Sequence, residues 1–253
     1  MKPLPANEVP WRRNVRTPAE AVKFIDAMGF CVLFPVKSVA LPSLCYAVRR
    51  GKKFAWDKEM ERLWGWKDNL PRQGRAFYAK YFRTRGTFIS LAMLPNFLAM
   101  RGSAAAPGDH ERLYAEGRIS HDARTIWQAL EEHAPLATLE LRHTCRMESK
   151  AGNVRFKRAM LDLQCLLVVV HFGAEQETAA WPSGRFALTA RAFPRQVALA
   201  RRIAPAAARA ALALKYFQWH PDAPTAMLAR LFGWPKAEAE AAMAAGARRE
   251  SKR

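Results

Sequence analysis

The stretch SKAGNVRFKRAMLDLQCLLVVVHF at residues 149–172 decides the fold of this chain. Within it, cations and apolar residues recur at helical spacing over residues 153–165, which predicts a helix. Residues 166–172 are apolar and rich in valine, which predicts a strand. A loop with Gly and Pro over residues 173–184 leads to residues 185–189, whose alternating pattern predicts a return strand. The stretch therefore predicts a helix followed by a β-hairpin.

Two further helices precede this stretch. Ser120 begins a helix predicted to end near His133, and Thr138 begins a second one predicted to end near Arg146. Residues 136–137 form a strand stub between them. The order helix, stub, helix, helix, strand, loop, strand is that of a winged helix, in which the third helix enters the major groove of DNA. We therefore predict a winged-helix DNA-binding unit over residues 109–193.

The exposed end of the third helix is the predicted DNA contact. Four cations there suit phosphate groups, and an asparagine is a candidate reader of base edges. The predicted DNA-binding residues of this helix are Lys150, Asn153, Arg155, Lys157 and Arg158. The opposite face predicts a core stripe formed by Val154, Ala159, Met160, Leu163 and Leu167. A winged helix that contacts another protein remains the alternative.

The region before residue 102 predicts a winged-helix-like helical unit over residues 17–101, preceded by a flexible basic arm at residues 1–16. Thr17-Pro18-Ala19-Glu20 is a capping box with proline at the first helical position, and Gly29 ends that helix. A short apolar run follows at residues 30–36. Further predictions are helices over residues 42–50, 56–66 and 72–83, and a linker over residues 102–108.

The segment at residues 72–85 alternates cations with aromatic residues, and no acid occurs between Asp68 and Asp109. A solvated helix face normally mixes both signs of charge, whereas a face of one sign suits a phosphate backbone. We therefore predict a helix that follows the DNA backbone with Arg72, Arg75, Tyr78, Lys80, Tyr81, Arg83 and Arg85. The alternative is a buried aromatic stripe with a solvated cationic face. Nearby Trp64 and Trp66 are candidate wedges for an open base step, with core packing as their alternative.

The C-terminal region predicts a helix-turn-helix-like unit over residues 194–247. An Ala- and Arg-rich helix runs over residues 194–219 with a break at Pro205, and a helical hairpin follows over residues 225–232 and 236–244. Residues 248–253 form a basic tail. The whole chain is thus predicted to be mainly α with small β wings, built from tandem winged-helix or helix-turn-helix units.

The composition points to an anionic partner. The 253 residues contain 41 Lys and Arg against 22 Asp and Glu, a formal net charge of +19. This balance favours a nucleic acid, while 50% hydrophobic residues indicate an ordinary folded core. No segment has the length and apolarity of a transmembrane helix, and the N-terminus lacks the apolar region of a secretory signal. We therefore expect a cytoplasmic, nucleoid-associated protein that does not bind membranes, with a monomer favoured.

The sequence contains no pattern typical of a cofactor or metal site. Four widely spaced cysteines predict buried free thiols, and six histidines form no pair at metal-ligand spacing. Glycine loops for nucleotides and the nucleophile elbow of hydrolases are absent. We therefore predict no metal and no cofactor. An acidic cluster at the tip of the wing supplies the remaining candidates for catalysis, with a solvent-facing turn as the alternative: Glu175, Gln176 and Glu177.

Several of these segments resemble the AlkZ-like (YcaQ-like) family of winged-helix DNA glycosylases, in particular its AlkZ-related members. The resemblance covers most of residues 17–245. It is carried by the capping box at Thr17, by Trp64-Gly65-Trp66-Lys67-Asp68, by Gly86-Thr87-Phe88-Ile89-Ser90 and by residues 150–181. It implies tandem winged helices that form a cationic concave face around duplex DNA, and the excision of alkylated or crosslinked purines.

The chain departs from that family at the catalytic motif. The resemblance implies Gln-x-Gln or Gln-x-Asp just after the first helix, where an amide or carboxylate acts on the attacking water, but residues 29–37 read GFCVLFPVK. No catalytic residue is therefore carried over, and enzymatic activity stays open. Our first interpretation is a tandem winged-helix protein that binds double-stranded DNA in DNA repair. The alternatives are a glycosylase with a relocated active site and a winged-helix transcriptional regulator.

Overall fold

A computed structural model of the chain describes residues 14–36, 41–49, 55–102, 108–178 and 182–250. Within these residues the chain is mainly α-helical, with two three-stranded antiparallel sheets. The predicted class, mainly α with small β elements, is confirmed. Most of the predicted basic arm, most of the predicted linker and the end of the predicted tail lie outside the described residues.

The first unit of the fold begins with α1, Pro18–Met28, whose N-terminus is fixed by the predicted capping box. The Thr17 hydroxyl accepts a hydrogen bond from Glu20 N, and the Glu20 carboxylate accepts one from Thr17 N at 2.9 Å. The unit continues with β1 Phe30–Val32, α2 Leu44–Arg49, α3 Lys58–Arg72, β2 Phe77–Lys80 and β3 Gly86–Ile89, and α4 Leu94–Arg101 follows it. Its sheet has the order β1-β3-β2.

The second unit follows the predicted order of elements. After α5, Asp109–Ala115, the Ser120 hydroxyl caps α6, His121–His133, by accepting a hydrogen bond from Ala123 N at 3.2 Å. The unit continues with β4 Leu136–Ala137, α7 Thr138–Thr144, α8 Lys150–Cys165, β5 Val169–Glu175 and β6 Ser183–Leu188. Its sheet has the order β4-β6-β5. Helix α8 begins at Lys150 rather than at residue 153, because Ser149 caps it.

The two units have the same topology. The first runs α1, β1, α2, α3, β2, β3, and the second runs α6, β4, α7, α8, β5, β6. In each sheet the third strand lies between the other two and is antiparallel to both. Helix α3 of the first unit is therefore the counterpart of α8 in the second.

The prediction of a helix over residues 72–83 is wrong. Helix α3 extends to Arg72, Gly74 turns with φ at 63°, and β2 then pairs with β3 in a register that places Phe77 opposite Ile89. The aromatic spacing suggested a helix because Phe77, Tyr78 and Ala79 are all buried, so this strand shows no alternation of apolar and polar residues.

The C-terminal helices share a core with the first unit. They are α9 Thr189–Ala192, α10 Pro194–Ala200, α11 Pro205–Phe217, α12 Thr225–Phe232 and α13 Lys236–Glu250, with the predicted break at Pro205. The Phe30 ring of β1 lies 4.6 Å from the Trp219 ring and 5.9 Å from the Phe232 ring, measured between centroids. The second unit has a core of its own around Trp127 and Leu163. All four cysteines are free thiols, as predicted, although Cys165 is only half-buried.

Candidate nucleic-acid interface and an adjoining cavity

Helix α8 is fixed by its first turn and by its apolar face. The Ser149 hydroxyl accepts a hydrogen bond from Gly152 N at 3.0 Å. Gly152 lies so close to the Met147 backbone that a Cβ at this position would be 2.9 Å from it. Phe156 and Leu163 are buried in the core of the second unit. The opposite side of the helix is therefore held towards solvent.

The solvent side of the described helix α8 carries cations around one large apolar side chain. Lys150, Lys157 and Arg158 are exposed, and in the described part of the chain no carboxylate lies within 4.0 Å of their charged groups. We call these three residues the α8 basic face. The prediction that Val154 belongs to the core is wrong, because its side chain is 67% exposed. It follows Lys150 by four residues and precedes Arg158 by four, so helical geometry puts it on the same face.

Arg155 and Asn153 lie at the edges of the α8 basic face. The Arg155 Nε lies 3.7 Å from Asp122 Oδ2, and the Arg155 side chain remains 62% exposed. Asn153 is half-buried. The structure therefore brings all the predicted DNA-binding residues of this helix to the part of α8 that is not buried in the core.

The β2–β3 hairpin presents a second set of exposed cations. Lys80, Arg83 and Arg85 are exposed, and Arg83 has a left-handed backbone with φ at 50° in the turn. We call these three residues the hairpin basic set. Of the other two predicted cations, Arg72 is exposed at the end of α3 and Arg75 is half-buried.

The predicted backbone contacts of Tyr78 and Tyr81 are corrected by the structure. Their side chains are buried, with 6% and 7% exposed. The Tyr81 hydroxyl accepts a hydrogen bond from Arg101 Nε at 3.0 Å, while the Tyr78 ring packs against Phe88 at 4.8 Å between centroids. These rings belong to the buried stripe, which was the alternative for this segment.

Strand β2 docks against the C-terminal end of α8. The Lys80 N donates a hydrogen bond to Gln164 Oε1 at 3.1 Å, and the Cys165 Sγ donates one to Lys80 O at 3.4 Å. The hairpin basic set therefore lies beside the end of the helix that carries the α8 basic face.

The polar residues at the tip of the wing make hydrogen bonds and an ion pair with nearby residues. The Glu177 carboxylate accepts hydrogen bonds from Leu139 N at 2.9 Å and Glu140 N at 3.0 Å, at the start of α7. Glu175 Oε2 lies 3.3 Å from Arg185 Nε across the β5–β6 pair. Gln176 donates a hydrogen bond to Thr178 O. These contacts tie the candidate catalytic residues to α7 and to the hairpin, and Glu177 acts as an N-terminal cap of α7.

A cavity of about 600 Å³ lies where the two units meet. Helix α3 and β2 line one side, and α8, β5 and β6 line the other. The aromatic part of the lining consists of Trp56, Trp64, Tyr78 and Phe186. The Trp64 ring stacks on Phe34 at 6.1 Å between centroids, and Lys67 Nζ lies 4.4 Å from the Trp64 centroid. Trp66, by contrast, is 3% exposed, which confirms core packing for this residue.

Asp68 and His171 form a pair in the lining of this cavity. The Asp68 Oδ1 lies 3.0 Å from His171 Nδ1, and Lys67 Nζ donates hydrogen bonds to both Asp68 oxygens at 2.7 and 2.9 Å. A β-bulge between His171 and Ala174 turns β5 at this point, with Gly173 at a φ of 115°. Such bulges re-aim neighbouring side chains.

The environment fixes the protonation of this pair. Burial lowers the pKa of His171 by more than Asp68 raises it, so the imidazole is neutral at pH 7. Burial raises the pKa of Asp68, but the hydrogen bonds and charges of His171 and Lys67 outweigh it, and the pKa falls below its ordinary value. The ionised carboxylate favours the proton on His171 Nδ1, which leaves a lone pair on Nε2.

The neutral His171 makes stability depend on pH. The unfolded chain takes up a proton at this histidine near pH 6.5, whereas the folded chain does so only at lower pH, so stability falls as the pH drops below about 6.5. Asp68, Lys67 and Lys80 are the charged groups that act on His171. We expect His171→Phe to flatten this dependence, measured by urea unfolding at several pH values. The exposed His133, replaced by Gln, serves as the control, and equal slopes in wild type and His171→Phe would contradict the assignment.

The Asp68–His171 pair was not predicted from the sequence as a site. Its members come from α3 and β5, and their contact depends on how the two units pack. The available signals were a Lys-Asp pair next to two tryptophans and a histidine inside an apolar strand.

The described residues contain neither a candidate membrane span nor a candidate metal site. No helix there is long and apolar enough to cross a membrane. No three His, Cys, Asp or Glu side chains in the same residues come close enough to hold a metal ion.

The fold is thus a mainly α-helical chain in which one helix, strand and hairpin arrangement occurs twice, with exposed cations on the hairpin of the first copy and on α8 of the second. A protein-family model described as AlkZ related matches residues 15–233. The chain belongs to the AlkZ-related family, and this membership points to a role in DNA repair with DNA as the partner. No curated protein and no solved structure matches the chain.

Proposed function

We propose that this protein binds double-stranded DNA in a repair process, through tandem winged helices of which the second presents α8 to the major groove. The observation that carries the proposal is the α8 basic face. Lys150, Lys157 and Arg158 are exposed on one side of one helix, and within the described residues no carboxylate neutralises them. Exposed cations of one sign suit a phosphate backbone, and neutralising phosphates releases counterions.

The order of elements supports a winged helix in each unit. A helix, a strand, two helices and a hairpin, with the last strand in the middle of the sheet, occur in both. In a winged helix the third helix reads the groove, which assigns this role to α8 and makes the β5–β6 loop its wing. The hairpin basic set beside the end of α8 would add contacts to the phosphate backbone.

The salt dependence of duplex affinity tests the hairpin basic set. Replacing Lys80, Arg83 and Arg85 together by Ala is expected to reduce the slope of log affinity against log salt by about 2 to 3, because each phosphate contact contributes about 0.9. The measurement is fluorescence anisotropy with a duplex of arbitrary sequence between about 50 and 200 mM salt. All sequences should lose affinity to a similar extent.

Arg112→Ala is the control for this triple variant. Arg112 is exposed but pairs with Asp109 at 3.2 Å and with Glu116 at 2.8 Å on its own helix. The slope of this control should equal that of the wild type. An unchanged slope in the triple variant would remove the hairpin basic set from the proposed interface.

Val154 is expected to contact a thymine methyl group in the major groove. It is the exposed apolar side chain among the cations of α8, and apolar side chains meet this methyl group in direct readout. One buried methyl group is worth about 0.8 kcal/mol, so duplexes with thymine should bind about fourfold more tightly than the same duplexes with uracil. Val154→Ala removes two methyl groups from the contact and should reduce this ratio without unfolding the protein. Equal binding of both duplexes by the wild type would argue against the contact.

A further inference from the structure

The cavity between the units has the size and lining of a site for a small planar molecule. Its volume of about 600 Å³ lies within the range of about 300–1,000 Å³ that is typical of such sites. Four aromatic side chains line it, together with six polar ones: Glu61, Lys67, Asp68, Lys80, Gln164 and His171. Aromatic walls of this kind bind the faces of heteroaromatic rings by stacking.

The polar part of the lining offers a fixed hydrogen-bond acceptor. His171 Nδ1 lies 3.0 Å from Asp68 Oδ1 without the alignment of a hydrogen bond, and the negative charge of the carboxylate favours the ring proton on Nδ1 and the lone pair on Nε2. Lys67 holds both Asp68 oxygens and keeps the carboxylate in this position. The rings of Tyr78 and Phe186 stand at steep angles to the imidazole, with centroids at 5.8 and 5.0 Å, and restrict its rotation.

Gly184 lies in close contact with this acceptor, at a position where no side chain would fit. A Cβ at residue 184 would lie 2.5 Å from His171 Nε2, well inside van der Waals contact. Gly184 itself lines the cavity. The glycine therefore allows the imidazole nitrogen to reach the cavity, and any larger side chain at this position would cover it.

The cavity adjoins the hairpin basic set and the C-terminal end of α8. Lys80 of the hairpin basic set lines it, and so does Gln164 of α8, which hydrogen-bonds to the Lys80 backbone. A base that leaves the stack of a bound duplex would find the cavity beside the phosphate contacts. The chemical class that fits is a purine-sized ring with an amino group.

We propose that this cavity binds one nucleobase turned out of the duplex, and that His171 Nε2 accepts a hydrogen bond from an amino group of that base. The proposal rests on the proposed DNA binding for the source of the base. The recognition itself depends only on the cavity, so free nucleosides test it separately.

The first experiment compares free deoxyadenosine with purine 2′-deoxyriboside, which lacks only the amino group, by saturation-transfer NMR with the full chain. We expect saturable binding of deoxyadenosine, about fivefold tighter than that of the analogue, because one hydrogen bond separates them. Equal affinity, or no saturable binding of either nucleoside at millimolar concentration, overturns the proposal.

Two variants act on the acceptor by different routes. Asp68→Asn offers the imidazole a neutral amide in place of the carboxylate and removes the preference for the proton on Nδ1, and Gly184→Ala covers Nε2. Both should abolish the fivefold preference, and circular dichroism identifies any variant that does not fold. The control is Arg62→Ala, at an exposed position of α3 outside the cavity, and this variant should keep the fivefold preference. A preference that persists in the folded variants overturns the role of Nε2.

The second experiment separates this inference from the proposed function. Duplexes that differ only in one adenine, paired or mispaired, are titrated with wild type and Gly184→Ala. Wild type should bind the mispaired duplex several-fold more tightly, because an unpaired base costs less to turn out, and Gly184→Ala should bind both equally. If both duplexes bind equally to wild type, the cavity proposal fails and DNA binding stands. If neither duplex binds but deoxyadenosine does, DNA binding fails and the cavity remains a nucleobase site.

Discussion

Replacing Lys157 and Arg158 together by Glu is expected to weaken duplex binding by about 100-fold or more near 0.1 M salt. Each neutralised phosphate contact contributes close to a factor of ten at this ionic strength, and two glutamates add repulsion of the phosphates. Both residues are exposed on α8, and neither has a carboxylate within 4.0 Å in the described residues, so their replacement removes no internal ion pair. The measurement is anisotropy with a labelled duplex, alongside thermal unfolding to verify the fold.

A matched charge change elsewhere separates the α8 basic face from the net charge. Arg195 and Arg230 are exposed on α10 and α12, and their replacement by Glu changes the net charge by the same amount. This control should lose only the part of the affinity that comes from long-range attraction. If both double variants lose affinity equally, the interface does not lie on α8.

The second large effect concerns stability. Phe30→Ala is expected to lower the free energy of unfolding by about 3–5 kcal/mol, because it removes a fully buried ring. Phe30 joins β1 of the first unit to the C-terminal helices through Trp219 and Phe232, and it also contacts Phe97 at 5.2 Å between centroids. The surrounding rings are too large to close the space that the change leaves.

Urea unfolding measures this effect, with Tyr46→Ala as the control. Tyr46 is 48% exposed, so its truncation should cost less than about 1 kcal/mol. A cost for Phe30→Ala as small as that of the control would show that the first unit and the C-terminal helices do not depend on this shared core.

The second unit was predictable because local signals mark its boundaries. Ser120 caps α6 where the sequence predicts it, and the valine-rich run at residues 166–172 overlaps the first part of β5. The first unit was harder because its strands are short and fully buried. The prediction for residues 72–83 failed since Phe77, Tyr78 and Ala79 are all buried and show no period of two.

The exposure of the α8 cations was predictable because it depends only on recognising this segment as a helix. Lys150, Lys157 and Arg158 are exposed as expected. Val154 differs because it precedes the buried Ala159 by five residues and Leu163 by nine, which puts it about 140° and 180° from them around the helix. The cavity could not be predicted in the same way. The Asp68–His171 contact joins residues of different units, and its geometry depends on the bulge in β5 and on Gly184. Spacing in the sequence carries no information on such a contact.

The two counterpart helices of the repeated topology differ in how far they are exposed to solvent. Helix α3 lies against β5, where Asp68 meets His171 and the Arg72 side chain approaches Gly173, so the second unit covers part of it. Helix α8 keeps its cations exposed. Under the proposed function the chain therefore has one recognition helix and not two. A complex formed through a single recognition helix has no two-fold axis, so the DNA site need not be a palindrome. One protein binds at each site, and the two ends of its footprint differ.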